Sequence, residues 1–488
     1  MTTVRKKVPT LTPTLRQTFA LSAIVCFSWA IRQTRRKHAR PIFSTPTGRF
    51  AALAAFFPLF LSGCVSSSGV SIPIVVAGSE NMVTPAMIAG DEPLAIQVGR
   101  AVLEAGGNAA DAVTAAGLAM MVTLPSRVGP GGGGVCLVHD PQTKRVRTLD
   151  FVPRRLAGAT RDSVAPTFVR GLSALHAAHG RQRWEQLIVT AETMAIRGIS
   201  ASRTLVADIA VAESRLDPSA RTRFAPHGRG LAEGDSLEQP ELAQILGRLR
   251  QTGPTAFYGG PGGGENPGKI AALFGVDPSA LQTITAQWRE TIATPDGNDI
   301  IHFPNLPALS SEPGGAGERE NVGQRLAALW TSPGTESGLV TESGLVGASA
   351  SERFAGIIAE DSYEQAVACL FSLGNLFGAG RLSAEHGFFP GVAWPTHQTN
   401  GAALITNPHL NSTLFAGTGD SGGLIETMRN VRFHDQLPAV AIVSMHRKTT
   451  NGRVLALGCL TGARDGRRIC ESSADPLGHG VSAMVLQP

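Results

Sequence analysis

Residues 104–151, EAGGNAADAVTAAGLAMMVTLPSRVGPGGGGVCLVHDPQTKRVRTLDF, decide the fold. Gly106 and Gly107 stop a periodic helix that begins at Leu94, because glycine is favoured just past a helix end and costly inside one. Asn108 supplies the side chain that caps a second helix, which the apolar run carries to about Met121. That helix is apolar on most sides and is predicted to be buried. Val135–His139 and Val146–Phe151 read as two strands joined by an Asp140-Pro141 turn. Between helix and strand stands the run Gly129-Pro130-Gly131-Gly132-Gly133-Gly134. A phosphate-cradling loop follows a strand, opens a helix and ends in G-K-[ST]; this run does the reverse and lacks that ending. Its glycines are read as backbone packed too tightly for any Cβ.

Outward from this core, helices dominate: Thr167–Gly180, Trp184–Arg197, Ser202–Glu213 and Gln239–Gln251. Residues 294–351 have a different texture, rich in Gly, Ser, Pro and Glu, with T-E-S-G-L-V repeated in tandem at Thr335–Val340 and Thr341–Val346. They read as a loop or linker. Short β-like runs come next: Phe354–Ala359, Ala366–Leu370, Ala402–Thr406, Thr413–Ala416, Ala439–Val443 and Val454–Leu457. The organisation is thus an export segment over 1–63, a tether and start of the body over 64–90, a helix-rich region over 91–293, the linker over 294–351, and a strand-rich region over 352–488.

The chain has 488 residues and a formal charge of +5. Ten of its 43 Lys and Arg lie in residues 1–63, which hold no acid; the remainder carries 33 bases against 38 acids. The body therefore has no basic surplus of the kind that nucleic acid requires. Arg35-Arg36-Lys37 and Arg49 precede the apolar run Phe50–Leu61, which ends in Leu61-Ser62-Gly63-Cys64. A basic flank, a short apolar core and small residues before a cut follow the logic of a signal peptide. Twelve apolar residues are too few to span a bilayer. The L-S-G-C ending resembles the bacterial lipobox, which implies lipid attachment at Cys64, with Ser66-Ser67-Ser68-Gly69 as a flexible tether. The expected location is the periplasmic face of a bacterial membrane. The earlier apolar patch Phe19–Ile31 has no assigned role. Cys459 and Cys470 stand close together and form a plausible disulfide pair in an oxidising compartment, whereas Cys136 and Cys369 sit in apolar runs and read as buried thiols.

Residues 104–151 resemble the large-subunit core of the γ-glutamyltranspeptidases: a helix, GGNA-DA, a second apolar helix, a P-x-x-x-G-x-GGGG run and a strand pair. The stretches 164–205 and 230–260 resemble the next segments of that subunit, AVACLFSLGNLFGAGR (366–381) resembles the small subunit, and GCLTGARDGRRICESSADPLGHG (458–480) is similar to the Cys-containing ending of some bacterial members. The resemblance implies an N-terminal-nucleophile hydrolase: an α+β fold, a four-layer αββα sandwich made from a self-cleaved precursor. It also implies γ-glutamyl transfer or hydrolysis of small γ-glutamyl amides such as glutathione, through an acyl-enzyme and with no cofactor. In that chemistry a newly exposed Thr attacks with its hydroxyl while its own α-amine, of pKa about 8, serves as base.

The chain departs from this pattern where the nucleophile belongs. In SERFAGIIAEDSYEQAV (351–367), ungapped alignment through Asp361 and Ala366-Val367 puts Ala355 at that position, and alanine has no hydroxyl. Ser351 is the nearest hydroxyl upstream and is the candidate catalytic residue. The alternative expectation is an unprocessed, catalytically impaired lipoprotein on the same scaffold. Arg154 and Arg155 are candidates to hold the substrate α-carboxylate, since a guanidinium fork matches two oxygens. The family's carboxylate-binding serine pair is replaced by His397-Gln398. GDSGG (419–423) imitates the nucleophile motif of a trypsin-like protease, but the surrounding helices do not suit that fold. Against the family pattern, Gly422 and Gly423 become the candidate oxyanion donors, with Ser421 a neighbour. His176 and His179 lie three apart on a predicted helix, with no third metal ligand nearby, and read as surface or packing residues.

Overall fold

The computed structural model describes residues 84–155, 164–307, 322–332, 353–395, 400–448, 453–461 and 468–487. The first helix runs Pro93–Glu104 and the second Ala109–Thr123. At the turn between them Gly106 takes φ +79°, a conformation open to glycine at little cost. Asn108 then closes a capping box: its side chain accepts from the Asp111 amide at 2.9 Å, and the Asp111 carboxylate accepts from the Asn108 amide at 3.2 Å. Asp111 also accepts from the amides of Arg181 and Gln182, so this wholly buried carboxylate has several donors. The next amides of the helix are capped from far along the chain, Ala109 by Asp361 at 3.1 Å and Ala110 by Gln365 at 3.0 Å. All fifteen residues of the second helix are buried, as its all-round apolar sequence requires.

Two large antiparallel sheets carry most of the strands, beside a two-stranded pair, Ile199–Ser200 with Ser236–Leu237. The seven-stranded sheet has the order Val481–Val485, Ala86–Gly90, Ala355–Glu360, Ala366–Ser372, Gly133–Asp140, Arg145–Phe151 and Gln287–Glu290. The six-stranded sheet has the order Arg468–Ala474, Val454–Thr461, Ser412–Asp420, Asn400–Asn407, Asp299–Phe303 and Ile292–Asp296. Three apolar clusters separate four layers. One lies between the first sheet and the large helical layer. A second, with Met87, Leu137, Ile358, Leu404 and Leu457, lies between the sheets. The third packs the second sheet on Val322–Thr331, Ser421–His434 and Pro438–His446. This is the expected αββα sandwich, with strands from both parts of the chain interleaved in one sheet.

The glycine run sits where the first sheet meets the turn after the buried helix. A Cβ on Gly132 would lie 2.6 Å from the carbonyl oxygen of Ser372, and one on Gly134 would lie 2.6 Å from that of Leu370. Both contacts are to backbone, which cannot swing away.

Three expectations require correction. Residues 294–351 do not form one structureless linker: a strand occupies Asp299–Phe303, another ends at Asp296, and Val322–Thr331 is a helix. These elements are short, and their Gly, Pro and Glu-rich surroundings hide their periodicity. Ala439–Val443 is not a strand but part of the helix Pro438–His446, which opens with the proline at a position that needs no amide donor. Cys136 and Cys369 are not free thiols; the register of their strands sets them opposite each other, and they form a disulfide. Cys459 and Cys470 are likewise opposite in register and bonded.

At the far end of the strand Ala355–Glu360, the Glu360 carboxyl has no exposure and neither oxygen has a hydrogen-bond partner. Burial pushes its pKa well above 4.5; Arg468 opposes this, and Glu364 and Asp361 add to it. The folded state thus holds the proton more tightly than the unfolded chain does. The associated stability is complete below pH 4.5 and is lost as pH rises toward the folded value. Glu360→Gln should remove this dependence. Denaturation midpoints taken from pH 4 upward should show wild type losing stability relative to the variant as pH rises, and parallel profiles would refute the assignment.

Candidate active site

The strand Ala355–Glu360 is an interior strand of the first sheet, and its start is held by four polar contacts beyond the ladder. The Phe354 carbonyl accepts from Arg127 Nη1 at 3.2 Å, and the Arg353 carbonyl accepts from Ser372 Oγ at 2.7 Å. The Gly356 amide donates to Asp91 Oδ2 at 2.7 Å, and the Gly356 carbonyl accepts from the Asp91 amide at 3.3 Å. Arg127 is itself fixed: its Nε and Nη2 each lie 2.7 Å from the two carboxylate oxygens of Asp208, and Ser126 Oγ donates to the same group at 2.6 Å. Arg127 and Asp208 are each 3% exposed, so this is a bidentate ion pair inside the protein. Burial raises the Asp91 carboxyl above its ordinary range, while the Gly356 amide and the charges of Arg127 and Arg453 pull it back.

Beside the strand start a cavity of about 10 Å³, bounded by Asp91, Arg127, Asn400, Thr418 and Arg453, has room for about one water. Phe354 and Trp394, each 3% exposed, meet edge to face with centroids 5.0 Å apart, and the indole Nε1 donates to the Ser372 carbonyl at 3.4 Å.

Alternation along the strand gives each position a face. Ala355, Ile357 and Ala359 belong to the cluster under the helices, whereas Phe354 and Ile358 join clusters on the side of the second sheet. Ala355 is fully buried and faces the helices. None of Arg353, Phe354 and Ala355 has a hydroxyl. Ser351 lies outside the described residues, as do Cys64 and the His397-Gln398 pair. The hydroxyls that do lie against the strand start belong to Ser372, already donated to Arg353, and to Thr418, which packs on Gly356 from the facing sheet.

The remaining candidates are dispersed. Ser421, Gly422 and Gly423 form the first turn of the helix Ser421–His434, where Asp420 is the N-cap and accepts from the Gly423 amide at 3.4 Å. Burial raises the Asp420 carboxyl, and the Gly423 and Gly422 amides lower it, so these donors are turned toward Asp420. Arg154 is engaged bidentately by Asp150 at 3.1 and 2.9 Å, and Asp150 also accepts from Arg289. Arg155 is exposed and forms a bridge with Val164. His176 Nε2 meets the Gln182 carbonyl at 2.7 Å, while His179 packs edge-on against Trp288. Sequence reasoning missed Arg127, Asp208 and Asp91. The only local signal was a charged residue, Arg127, between a buried helix and a glycine run.

The sequence model of the family described as Gamma-glutamyltranspeptidase matches residues 95–265. The chain is 33% identical over 196 residues to "Glutathione hydrolase proenzyme" of Bacillus subtilis (strain 168), covering 36% of this chain and 33% of that protein. It is 28% identical over 252 residues to "Glutathione hydrolase 7" of Homo sapiens, covering 47% and 37% respectively. The chain thus spans only about a third of the length of the curated relatives it matches. The crystal structure of cephalosporin acylase from Bacillus halodurans superposes with a TM-score of 0.60 at 16% identity, over 86% of this chain and 99% of that one, and so shares the fold.

The clamp gives a direct test. Arg127→Met should cost about 3–5 kcal/mol, because it strands the buried Asp208 charge. The double variant Arg127→Met/Asp208→Leu should be more stable than Arg127→Met. Equal denaturation midpoints for wild type and Arg127→Met would show that the pair does not hold the strand start.

Proposed function

We propose, from the match of residues 95–265 to the family described as Gamma-glutamyltranspeptidase, that this protein is an exported lipoprotein of that family that does not self-process and is impaired in γ-glutamyl turnover. One observation carries the reading: the start of the strand Ala355–Glu360 presents Phe354 and Ala355, neither of which has a hydroxyl, and Phe354 is packed edge to face on Trp394. Acyl transfer needs a hydroxyl, a base within reach of it and room for a carbonyl carbon.

A second reading has its own support. The strand start retains a built frame, with the carbonyls of Arg353 and Phe354 each held by a side chain, which a purely inert strand would not need. In that reading Ser351 is the nucleophile, freed as a new N-terminus, and the substrate is a small γ-glutamyl amide such as glutathione. Export is supported by the L-S-G-C sequence at Cys64 and by two disulfides, which persist in oxidising compartments.

Expressed full-length protein should run as one band on a reducing denaturing gel and should release no amine from a γ-glutamyl anilide above the buffer rate. Two bands, the smaller beginning at Ser351, with turnover abolished by Ser351→Ala, would replace the first reading with the second. Radiolabelled palmitate should enter wild type and not Cys64→Ala; equal labelling of both would remove the anchor from the proposal.

A further inference from the structure

The two disulfides differ in reach. Cys459 and Cys470 are 11 residues apart, on consecutive strands of the same part of the chain. Cys136 and Cys369 are 233 residues apart, and the whole of 294–351 lies between them. Their strands, Gly133–Asp140 and Ala366–Ser372, are neighbours in the first sheet, with Cys136 and Cys369 as direct partners and no exposure at either residue. The seam is held elsewhere only by contacts that need no covalent bond. Ala86–Gly90 pairs with Ala355–Glu360, and Asp361 and Gln365 cap the first amides of the helix Ala109–Thr123.

We propose that Cys136–Cys369 is a covalent staple across this seam, keeping the part before 294–351 and the part after it in one molecule when the intervening backbone is cut. Closing it converts two thiols to one disulfide. Two electrons and two protons pass to a disulfide-bearing oxidant, a thiol–disulfide exchange protein of the exported compartment, which leaves as a dithiol. Both cysteines lie within the sheet, so the bond closes when strand pairing has brought them together, and water and reductant are then shut out. Through the staple, a cut between the two parts leaves the C-terminal one joined to the part that bears Cys64. This goes beyond the functional reading above and holds whether or not the strand start turns over substrate.

The test replaces the second T-E-S-G-L-V copy, Thr341–Val346, with the recognition sequence of a site-specific protease. The purified full chain is treated with a thiol-blocking reagent without reductant, cut in mild denaturant, and run with and without reductant. One band at the full-length position, resolving into two on reduction, is expected. The Cys136→Ser/Cys369→Ser chain should give two bands in both lanes. Two bands from the parent without reductant would overturn the staple. Should the double variant fail to fold, mass spectrometry of an unreduced digest of the parent decides the matter: a peptide pair joined through Cys136 and Cys369 supports the staple, and its absence overturns it.

Discussion

A guanidinium almost cut off from water needs a partner of opposite charge and matching shape. Arg127 has one in Asp208, and the geometry is bidentate. Much of the candidate site depends on this pair. It lies at the turn between the buried helix and the glycine run, and Nη1 of the same guanidinium donates to the Phe354 carbonyl, at the start of the strand Ala355–Glu360. The glycines next in the chain let the neighbouring strands approach at distances no side chain would permit. The clamp and the glycine run lie on either side of the start of Ala355–Glu360 within the first sheet.

Among the described residues, the strand start presents no hydroxyl of its own. The face toward the second sheet is Phe354 against Trp394, and the face toward the helices is Ala355. Nearby hydroxyls are already structural, Ser372 holding the Arg353 carbonyl. The Gly423 amide donates to Asp420, which caps the helix Ser421–His434. A frame built for positioning and filled with apolar side chains is the physical content of the impaired reading. The intact clamps are the reason the other reading retains an argument.

Much of the fold could be read along the chain because its signals were local. Asn108 marks the cap of the buried helix, and Val146–Phe151 reads as a strand, as the structure shows. The glycine run before Val135 announced close backbone packing, and Gly132 and Gly134 meet carbonyl oxygens as that reading requires. The failures have equally definite causes. Ala439–Val443 is short and apolar, so its sequence fits a buried strand as well as a buried helix. The strand Asp299–Phe303 is five residues in a Gly and Pro-rich setting, too brief for a period to show.

The sequence by itself determined the local elements, the absence of a hydroxyl from 353–355 and, through the resemblance of 104–151, the layered architecture. Only the tertiary structure decided which distant residues meet. Arg127 finds Asp208 across 81 residues, and Cys136 finds Cys369 across 233. The reason is physical. Caps, turns and periodicity act within a few residues and leave a mark in the sequence. Strand register and buried ion pairing are set by how whole layers pack, and one residue of slip between Gly133–Asp140 and Ala366–Ser372 would take Cys136 and Cys369 to opposite faces of the sheet.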